Sequence, residues 1–253
     1  MSYLELQHVT FKDKNRNRKI LDNLSLVIEK GDFVILLGSN GSGKTSLIRL
    51  IQGLYRPSQG KLLFENEDLA ERSLDSIARD IITLTQDMVM TTFEGLTVLE
   101  NCLMATLRHQ RANLKISQKT ERAFFKDYLK DFHRSLPGHL DTPTGHLSGG
   151  ERQLLSLGLC LLNPPKILLL DEHTSALDPR ASALVLEKTM NVIQGNKITA
   201  LMTTHKIEQA LSLGNRLIVM KDGKIIEDIG EKDKKKLKEK DIWSFYEETV
   251  SFS

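Results

Sequence analysis

Gly38-Ser39-Asn40-Gly41-Ser42-Gly43-Lys44-Thr45 is the stretch that decides the fold. It has the pattern G-x-x-x-x-G-K-T, in which glycines let a loop wrap around phosphate groups. The apolar run at 33–37 is typical of a buried parallel strand, and apolar residues recur at helical spacing over 47–54. This arrangement directs backbone N–H groups and a positive helix end toward a single point. The motif therefore predicts a triphosphate site, with Lys44 reaching the β- and γ-phosphates and the Thr45 hydroxyl holding Mg²⁺. The alternative, a glycine-rich turn that opens an ordinary helix, is disfavoured because strand and helix patterns flank the loop.

Composition limits the class of protein. The chain has 253 residues, enough for one large domain or two small ones. Its net charge of +2 is too close to neutral to indicate nucleic acid as the main partner. Cys102 and Cys160 lie far apart without metal-binding spacing, which favours reduced thiols over a disulfide framework. The longest apolar stretch, 154–162, is too short to span a bilayer, so work at a membrane would require another chain.

The order of patterns along the chain predicts its organisation. Apolar and polar residues alternate at 4–6 and again at 24–28, which predicts two half-buried strands of a small antiparallel sheet. The region 87–150 shows only helical patterns, and we interpret it as an α-helical insertion in a domain that covers 1–230. Within it, Thr97 and Glu100 form a capping-box sequence that predicts a helix start. Further along the chain, Asp178-Pro179 predicts another, with an N-cap followed by proline at the first helical position. In the charged C-terminal tail 231–253, the stretch 231–240 is predicted to be a solvated helix or linker. Three aromatic residues are expected to hold its end against the body: Trp243, Phe245 and Tyr246.

Polar side chains follow several of the predicted strands. In open α/β sheets, ligands bind outside the carboxyl ends of the strands, so Gln86, Asp171 and His205 are expected to converge on a nucleotide. Asp171 would hold Mg²⁺ through water, and Glu172 would polarise or orient the attacking water. His205 could contact the γ-phosphate. Considered alone, His205 fits a structural histidine better, and Gln86 fits a solvated loop residue better.

The segment Leu147-Ser148-Gly149-Gly150-Glu151 resembles the signature of the ATP-binding cassette (ABC) ATPases. The other motifs stand in the order of that family: the phosphate loop 38–45, Gln86, the signature, Asp171-Glu172, the segment 175–178 and His205. The resemblance covers about residues 3 to 228. It implies an α/β fold, namely a P-loop NTPase with a RecA-like core, an antiparallel β-subdomain and an α-helical subdomain at about 87–150.

The resemblance also implies a mechanism. Two copies pair head to tail, and each ATP lies between the phosphate loop of one copy and Ser148-Gly149-Gly150 of the other. A serine and two glycines at a helix N-terminus can offer a hydroxyl, N–H groups and a positive dipole end to the γ-phosphate. Asp178 would lie at the dimer seam, and Gln86 would join Thr45 and Asp171 around Mg²⁺. The loop 87–96 would receive a helix from a membrane-spanning partner.

The chain departs from the family pattern at two places. The aromatic residue that stacks on adenine would fall on Asp13, and Phe11, on the same strand face, is either its replacement or a core residue. A carboxylate at Asp13 would favour loose nucleotide selectivity. His173 replaces the proline that commonly follows the glutamate. The combination of Glu-His-Thr at 172–174 with Gly-Ser-Asn-Gly in the phosphate loop resembles the motifs of a bacterial subgroup, whose members belong to importers of amino acids such as tryptophan.

The favoured hypothesis is an ATPase subunit that uses ATP and Mg²⁺ to power a membrane transporter. Uptake is favoured over export, with permease subunits, a second ATPase copy and a solute-binding protein as partners and no nucleic acid. The protein is then expected at the cytoplasmic face of the plasma membrane, held there by its partners. The alternatives are a freestanding export ATPase for lipoproteins or peptides, a soluble ABC ATPase outside transport, and a non-enzymatic nucleotide switch. Glu172 and His205 argue against the last of these.

Overall fold

The computed structural model describes residues 2–13, 18–85, 92–106 and 118–247, apart from the side chains of 118–120 and 246–247. In chain order the strands are β1 Ser2–Asp13, β2 Arg18–Glu29, β3 Phe33–Gly38, β4 Gln59–Phe64, β5 Glu67–Asp68, β6 Ile81–Thr85, β7 Ile167–Asp171, β8 Thr199–Thr204, β9 Arg216–Lys221 and β10 Lys224–Ile229. The helices are α1 Lys44–Ile51, α2 Leu74–Asp80, α3 Val98–Thr106, α4 Gln118–Tyr128, α5 Gly149–Leu162, α6 Pro179–Asn196, α7 Ile207–Ser212, α8 Glu231–Lys234 and α9 Glu239–Glu247. Short 3₁₀ turns lie at Leu129–Asp131, Leu136–Gly138 and Thr144–His146.

Within this described part of the chain, the strands form two sheets, with orders β2-β1-β4-β5 and β10-β9-β3-β8-β7-β6. In the first sheet, β1 pairs antiparallel with both β2 and β4, which confirms the small antiparallel sheet. In the second sheet, β3 is parallel to β8 and β9, and β7 is parallel to β8. Every residue of β3 and β8 is buried, as expected for central strands covered on both faces.

A single apolar cluster joins the two sheets through α1. Its buried members come from β1, β2 and β4 of the antiparallel sheet and from β3, β7, β8 and β9 of the parallel one. The helix α1 contributes its apolar stripe: Leu47, Ile48, Leu50 and Ile51. Because α1 begins at the end of the phosphate loop, this burial fixes the direction in which the loop faces.

Contacts divide the chain into two compact units. The first comprises Met1–Thr83, Ile167–Asp171 and Lys197–Ser253, and the second comprises Leu84–Lys166 and Glu172–Asn196. The second unit therefore contains α5 and α6 in addition to the helices of the predicted insertion 87–150. Of the helices that the structure describes, none has both the length and the apolar character that crossing a bilayer requires.

The capping patterns of the sequence are confirmed where helices begin. At the start of α3, Thr97 N donates to Glu100 Oε2 at 2.7 Å, and Glu100 N donates to Thr97 Oγ1 at 3.2 Å. At the start of α6, Asp178 Oδ1 accepts from the amides of Arg180 and Ala181 at 3.0 and 3.1 Å. The first pair is a reciprocal capping box, and the second is an N-cap followed by proline at the first helical position.

The segment after β10 is packed into the first unit, so the prediction of a wholly solvated helix or linker is wrong for Lys234. Its Nζ is buried and donates to the carbonyl oxygens of Leu213 and Gly214, and burial lowers the pKa of Lys234 to about 8. Ile242 has no exposed surface, whereas Trp243 is 54% exposed. The predicted anchor Trp243 is therefore wrong, because α9 turns Ile242 and not the indole toward the interior.

Candidate nucleotide-binding site

The carboxyl ends of three neighbouring strands carry predicted site residues of the first unit. The strand β8 lies between β3 and β7, with Leu37 paired to Thr204 and Asp171 paired to Thr203. The phosphate loop leaves the end of β3, Asp171 ends β7, and His205 directly follows β8. This register places His205 between the phosphate loop and Asp171 along one edge of the sheet, as expected for ligand sites of such sheets.

The phosphate loop has a buried half and an exposed half. Ser39, Asn40, Gly41 and Thr45 are exposed, whereas Gly38, Ser42, Gly43 and Lys44 are buried. The backbone of Gly41 and Gly43 has φ of 84° and 105°, the left-handed region that glycine adopts without strain. The buried Ser42 Oγ has no hydrogen-bond partner in the described structure. A buried hydroxyl without a described partner, beside exposed residues that precede a helix start, fits a loop that receives polar ligand atoms.

Lys44 holds the loop closed around its own side chain. Its Nζ donates to Gly38 O at 2.7 Å and to Ser39 O at 3.0 Å. The residue is only 5% exposed, and its ammonium group can be retained at that burial because charge-assisted hydrogen bonds compensate for lost water. The ammonium group of Lys44 is thereby held against the backbone at the start of the loop.

Of the two glycines of this loop that have positive φ, Gly43 should be harder to replace than Gly41. A Cβ at Gly43 would lie 2.7 Å from Leu21 Cδ2 and 3.2 Å from Ile20 O, whereas a Cβ at Gly41 would meet nothing within 4 Å. We expect Gly43→Ala to lower the free energy of unfolding by about 2–4 kcal/mol, since backbone strain and a steric overlap add. Gly41→Ala, which adds strain alone, should cost about 1–2 kcal/mol. Urea unfolding of both variants measures the difference, and equal losses would contradict the steric argument.

Asp171 is oriented by a residue that sequence reasoning missed. Thr203 Oγ1 donates to Asp171 Oδ1 at 2.6 Å across the β7–β8 pair. This hydrogen bond holds Oδ1 of Asp171 in place, and Oδ2 takes no part in it. The two residues are 32 positions apart, so only the strand register brings them together.

The turn that carries His205 is held by the hydroxyl of Thr204. Thr204 Oγ1 donates to Gln209 Oε1 at 2.6 Å and accepts from Lys206 N at 3.0 Å. His205 itself is exposed at the strand end. These contacts of Thr204 thus fix the backbone from which the His205 ring projects.

The signature residues form the first turn of α5 in the second unit. Ser148 is the N-cap, and Glu151 completes a capping box with it. A Cβ at Gly149 would lie 3.1 Å from Leu177 Cδ2, and a Cβ at Gly150 would lie 3.0 Å from Ala181 Cβ. These glycines therefore allow the start of α5 to pack closely against the segment that Asp178 caps, a role in packing beside any role in binding.

Glu172 has a backbone conformation that is rare for its residue type. Its φ is 45°, and its carbonyl oxygen accepts from Ser175 N at 2.9 Å and from Ser175 Oγ at 2.8 Å. A side chain in this left-handed region costs about 1–2 kcal/mol, so the tight turn is kept at the expense of stability. Such strain is found disproportionately at functional sites.

His173, the residue that replaces proline, is a buried neutral imidazole. Thr189 Oγ1 donates its single proton to Val185 O at 2.8 Å, so its contact with His173 Nε2 at 3.4 Å requires the ring nitrogen to donate. His173 Nδ1 then bears no proton, and it has no partner in the described structure. Protonating it would bury an unpaired N–H and a charge, and burial accordingly lowers the pKa of His173 to about 4.

His173 should make the protein less stable in acid. Because its pKa is lowered from 6.5 to about 4, the unfolded chain binds a proton where the folded chain does not. The free energy of unfolding should therefore fall as pH drops from 6.5 to about 4, by on the order of 3 kcal/mol. His173→Leu should remove this part of the pH dependence, while His146→Gln, at an exposed position, should leave it unchanged. Urea unfolding at several pH values in this range is the measurement, and an unchanged slope in His173→Leu would contradict the assignment.

Two remaining predicted residues have different outcomes. The Phe11 ring stacks on Tyr55, with centroids 4.9 Å apart, and packs against the core cluster while remaining partly exposed. One face of Phe11 is thus used by the protein itself, and its stacking on adenine stays a prediction. Gln86 and positions 87–91 of the partner loop lie outside the described residues.

The rest of the predicted partner loop is connected to the approach to the signature. Thr144 Oγ1 donates to Phe93 O at 2.9 Å, and Gly145 N donates to Glu94 O at 3.1 Å. The Glu94 carboxylate also pairs with Arg152 in the first turns of α5. Sequence reasoning missed these contacts, which join residues more than forty positions apart and leave no local pattern.

Comparison with known proteins agrees with this geometry. The family described as ABC transporter matches residues 21–175. This chain belongs to the ABC transporter family. A tyrosine transport ATP-binding protein of Clostridioides difficile is 36% identical to it, covering 91% of this chain and 92% of the relative. An Fe(3+) ions import ATP-binding protein of Pectobacterium atrosepticum is 32% identical, covering 89% of this chain but 60% of the relative.

Solved structures confirm the cassette fold and the ATPase class. An ATP-binding cassette of an ABC transporter in its ADP conformation is 27% identical, with a TM-score of 0.77, and covers 97% of this chain and 98% of that one. A cassette in a dimeric post-hydrolysis state bound to ADP and Pi is 26% identical, with a TM-score of 0.74, and covers 90% and 98% of the two chains. The protein is thus an ABC ATPase with a P-loop NTPase core, as the sequence predicts.

Proposed function

We propose that this ABC ATPase powers uptake of an aromatic amino acid or a close analogue through a membrane permease. The observation that carries the proposal is similarity over nearly the whole length of a tyrosine transport ATP-binding protein. Two further relatives are named as import proteins, for Fe(3+) ions and for spermidine or putrescine. A second copy of this chain, permease subunits and a solute-binding protein complete the proposed transporter, at the cytoplasmic face of the plasma membrane.

The residues of the first unit are suited to hold the nucleotide. Lys44 would turn its ammonium group from the carbonyls of Gly38 and Ser39 toward the β- and γ-phosphates, while the exposed loop amides bind phosphate oxygens. The exposed Thr45 hydroxyl and the Asp171 carboxylate supply the oxygen ligands that Mg²⁺ prefers. When bound there, Mg²⁺ would neutralise the negative charge that develops during transfer of the γ-phosphate. Thr203 would keep Asp171 in the required orientation.

The residues that act on the bond to the γ-phosphate are proposed to be Glu172 and His205. Glu172 orients and partly deprotonates the attacking water. The strained turn, which Ser175 stabilises by a hydrogen bond to the Glu172 carbonyl, fixes the backbone position of Glu172. His205 contacts the γ-phosphate from the turn that Thr204 holds. Gln86 joins them as the residue that senses the metal and the permease.

The second half of each site is proposed to come from the other copy. Ser148, Gly149 and Gly150 open a helix of fourteen residues, so their N–H groups and the positive helix end favour an anion. Leu147 is buried beneath them, and Glu151 fixes Ser148 through the capping box. Asp178 caps the neighbouring helix and would lie at the seam between copies. Loss of the γ-phosphate removes these contacts and opens the pair.

Purification of the tagged chain from its native membranes tests the partner. We expect a multi-span hydrophobic protein to co-purify with it, and ribosomes or DNA in its place would contradict the proposal. Uptake of radiolabelled tyrosine and tryptophan, measured with and without this gene, tests the substrate class. Lysine uptake serves as the control, and equal loss of uptake for all the amino acids would rule out an aromatic-specific importer.

A further inference from the structure

The carboxylate of Glu151 joins the signature turn to the chain segment that precedes it. Its Oε2 accepts from Ser148 N at 3.1 Å and from Ser148 Oγ at 2.7 Å. Its Oε1 accepts from the hydroxyl of Ser135, which lies sixteen positions earlier, just before the 3₁₀ turn Leu136–Gly138. A capping box alone requires only Oε2, so the second oxygen and its partner are additional.

Two histidines face the same carboxylate oxygen. His133 Nδ1 lies 4.0 Å and His139 Nε2 lies 3.9 Å from Glu151 Oε1. The rings are held in place, because His133 Nδ1 is 2.7 Å from Ser135 Oγ and His139 Nδ1 is 3.3 Å from Thr142 Oγ1. At this end of α5, Arg152 is paired with Glu94 and Asp178 caps α6.

Glu151 is ionised at neutral pH. Burial raises the pKa of Glu151, but hydrogen bonds from Ser135 and Ser148 and the charge of His139 outweigh it, so the pKa lies below its ordinary value. Imidazole is the side chain that can act as a charge switch near neutral pH, and two imidazole rings face Oε1. When they are protonated, two cations lie within 4.0 Å of Oε1 and compensate the carboxylate charge.

The hydroxyl of Ser148 has a single proton to donate. In the structure this proton is directed to Glu151 Oε2, at 2.7 Å. In the proposed dimer the same hydroxyl must serve the γ-phosphate bound to the other copy. Glu151 and the γ-phosphate therefore compete for one donor, and any change that weakens Glu151 as an acceptor strengthens Ser148 as a donor to phosphate.

We propose that Ser135, His133 and His139 are positioning residues that set, through Glu151, how readily the signature serine binds ATP in the dimer. Protonated histidines weaken the hold of Glu151 on Ser148 and add positive charge beside an anion site, so both effects favour the ATP-bound dimer. Loss of the Ser135 hydroxyl does the opposite, because Glu151 then relies on Ser148 for more of its hydrogen bonding. The inference rests on the proposed function, in which Ser148 acts on the ATP of the other copy.

ATP-dependent dimerisation provides the test. In a Glu172→Gln background, which should retain ATP, the dimer dissociation constant is measured by sedimentation between about pH 7.5 and about pH 5.5, on either side of the ordinary histidine pKa of about 6.5. We expect the constant to fall about threefold or more as the pH is lowered, as partly exposed ion pairs allow. The combined change His133→Gln and His139→Gln should clearly reduce this dependence relative to the chain that retains both histidines. Ser135→Ala should raise the constant about threefold at neutral pH.

His146→Gln is the matched control, since His146 is exposed and lies two positions before Ser148. It should retain the full pH dependence. If the double variant also retains it and Ser135→Ala leaves the constant unchanged, the inference is wrong while the dimer stands. If no ATP-dependent dimer forms at any pH, the proposed dimer itself fails. Should the double variant not fold, His139→Gln alone, at a 39% exposed side chain, should remove part of the dependence.

Discussion

Replacing Glu172 by glutamine should lower the rate of ATP hydrolysis by about 100- to 10,000-fold while ATP binding persists. Glutamine has the shape of glutamate but cannot take a proton from water. The turn should survive, because Ser175 N and Ser175 Oγ hold the main-chain carbonyl of residue 172 and not its side chain. Single-turnover hydrolysis and equilibrium binding of ATP, measured on the same preparation with the partner subunits, separate chemistry from affinity.

The control for this change is Glu187→Gln, at an exposed position of α6 in the same unit. It removes the same charge from the same unit and should leave the rate within about twofold, as expected for a surface carboxylate. If Glu172→Gln hydrolyses ATP at the rate of the control, Glu172 is not the residue that activates water. If the unsubstituted protein shows no turnover even with its partners, the coupled ATPase cycle proposed for it fails.

Replacing Lys44 by methionine should weaken ATP binding about 100-fold. Methionine approximates the length of the lysine stem and keeps its packing, but it cannot form the two hydrogen bonds to phosphate oxygens that the ammonium would make. Charge-assisted hydrogen bonds contribute about 1.5–3 kcal/mol each, so losing them accounts for a change of this size. Titration calorimetry with a slowly hydrolysed ATP analogue is the measurement.

Lys44 also stabilises the loop without nucleotide, so the effect on folding must be separated from the effect on binding. Its Nζ donates to Gly38 O and Ser39 O, and methionine leaves both carbonyls without this donor. We therefore expect Lys44→Met also to lower the free energy of unfolding, by about 1–3 kcal/mol. Lys61→Met, at an exposed position of β4, is the matched control for both readouts. Unchanged ATP affinity in a folded Lys44→Met protein would contradict the assigned role.

Short-range patterns carried most of the correct predictions. The phosphate loop, the capping box of Thr97 and Glu100, and the N-cap at Asp178 all depend on residues within a few positions of one another. Their geometry is set by local backbone chemistry, namely glycine's access to positive φ and the unpaired N–H groups of a helix start. The strand ends also followed from sequence, because buried parallel strands are continuous apolar runs that stop at polar residues.

The sequence by itself therefore determined the P-loop core, the order of the site motifs and the ATPase class. The tertiary structure decided how these residues are held: Thr203 on Asp171, Glu94 on Arg152, and Ser135 on Glu151. It also decided that Lys234 is buried and that Ile242, not Trp243, anchors the tail. These contacts join positions that are far apart in the chain, or depend on which side of a helix faces the core. Strand register and packing fix them, and neither leaves a local pattern in the sequence.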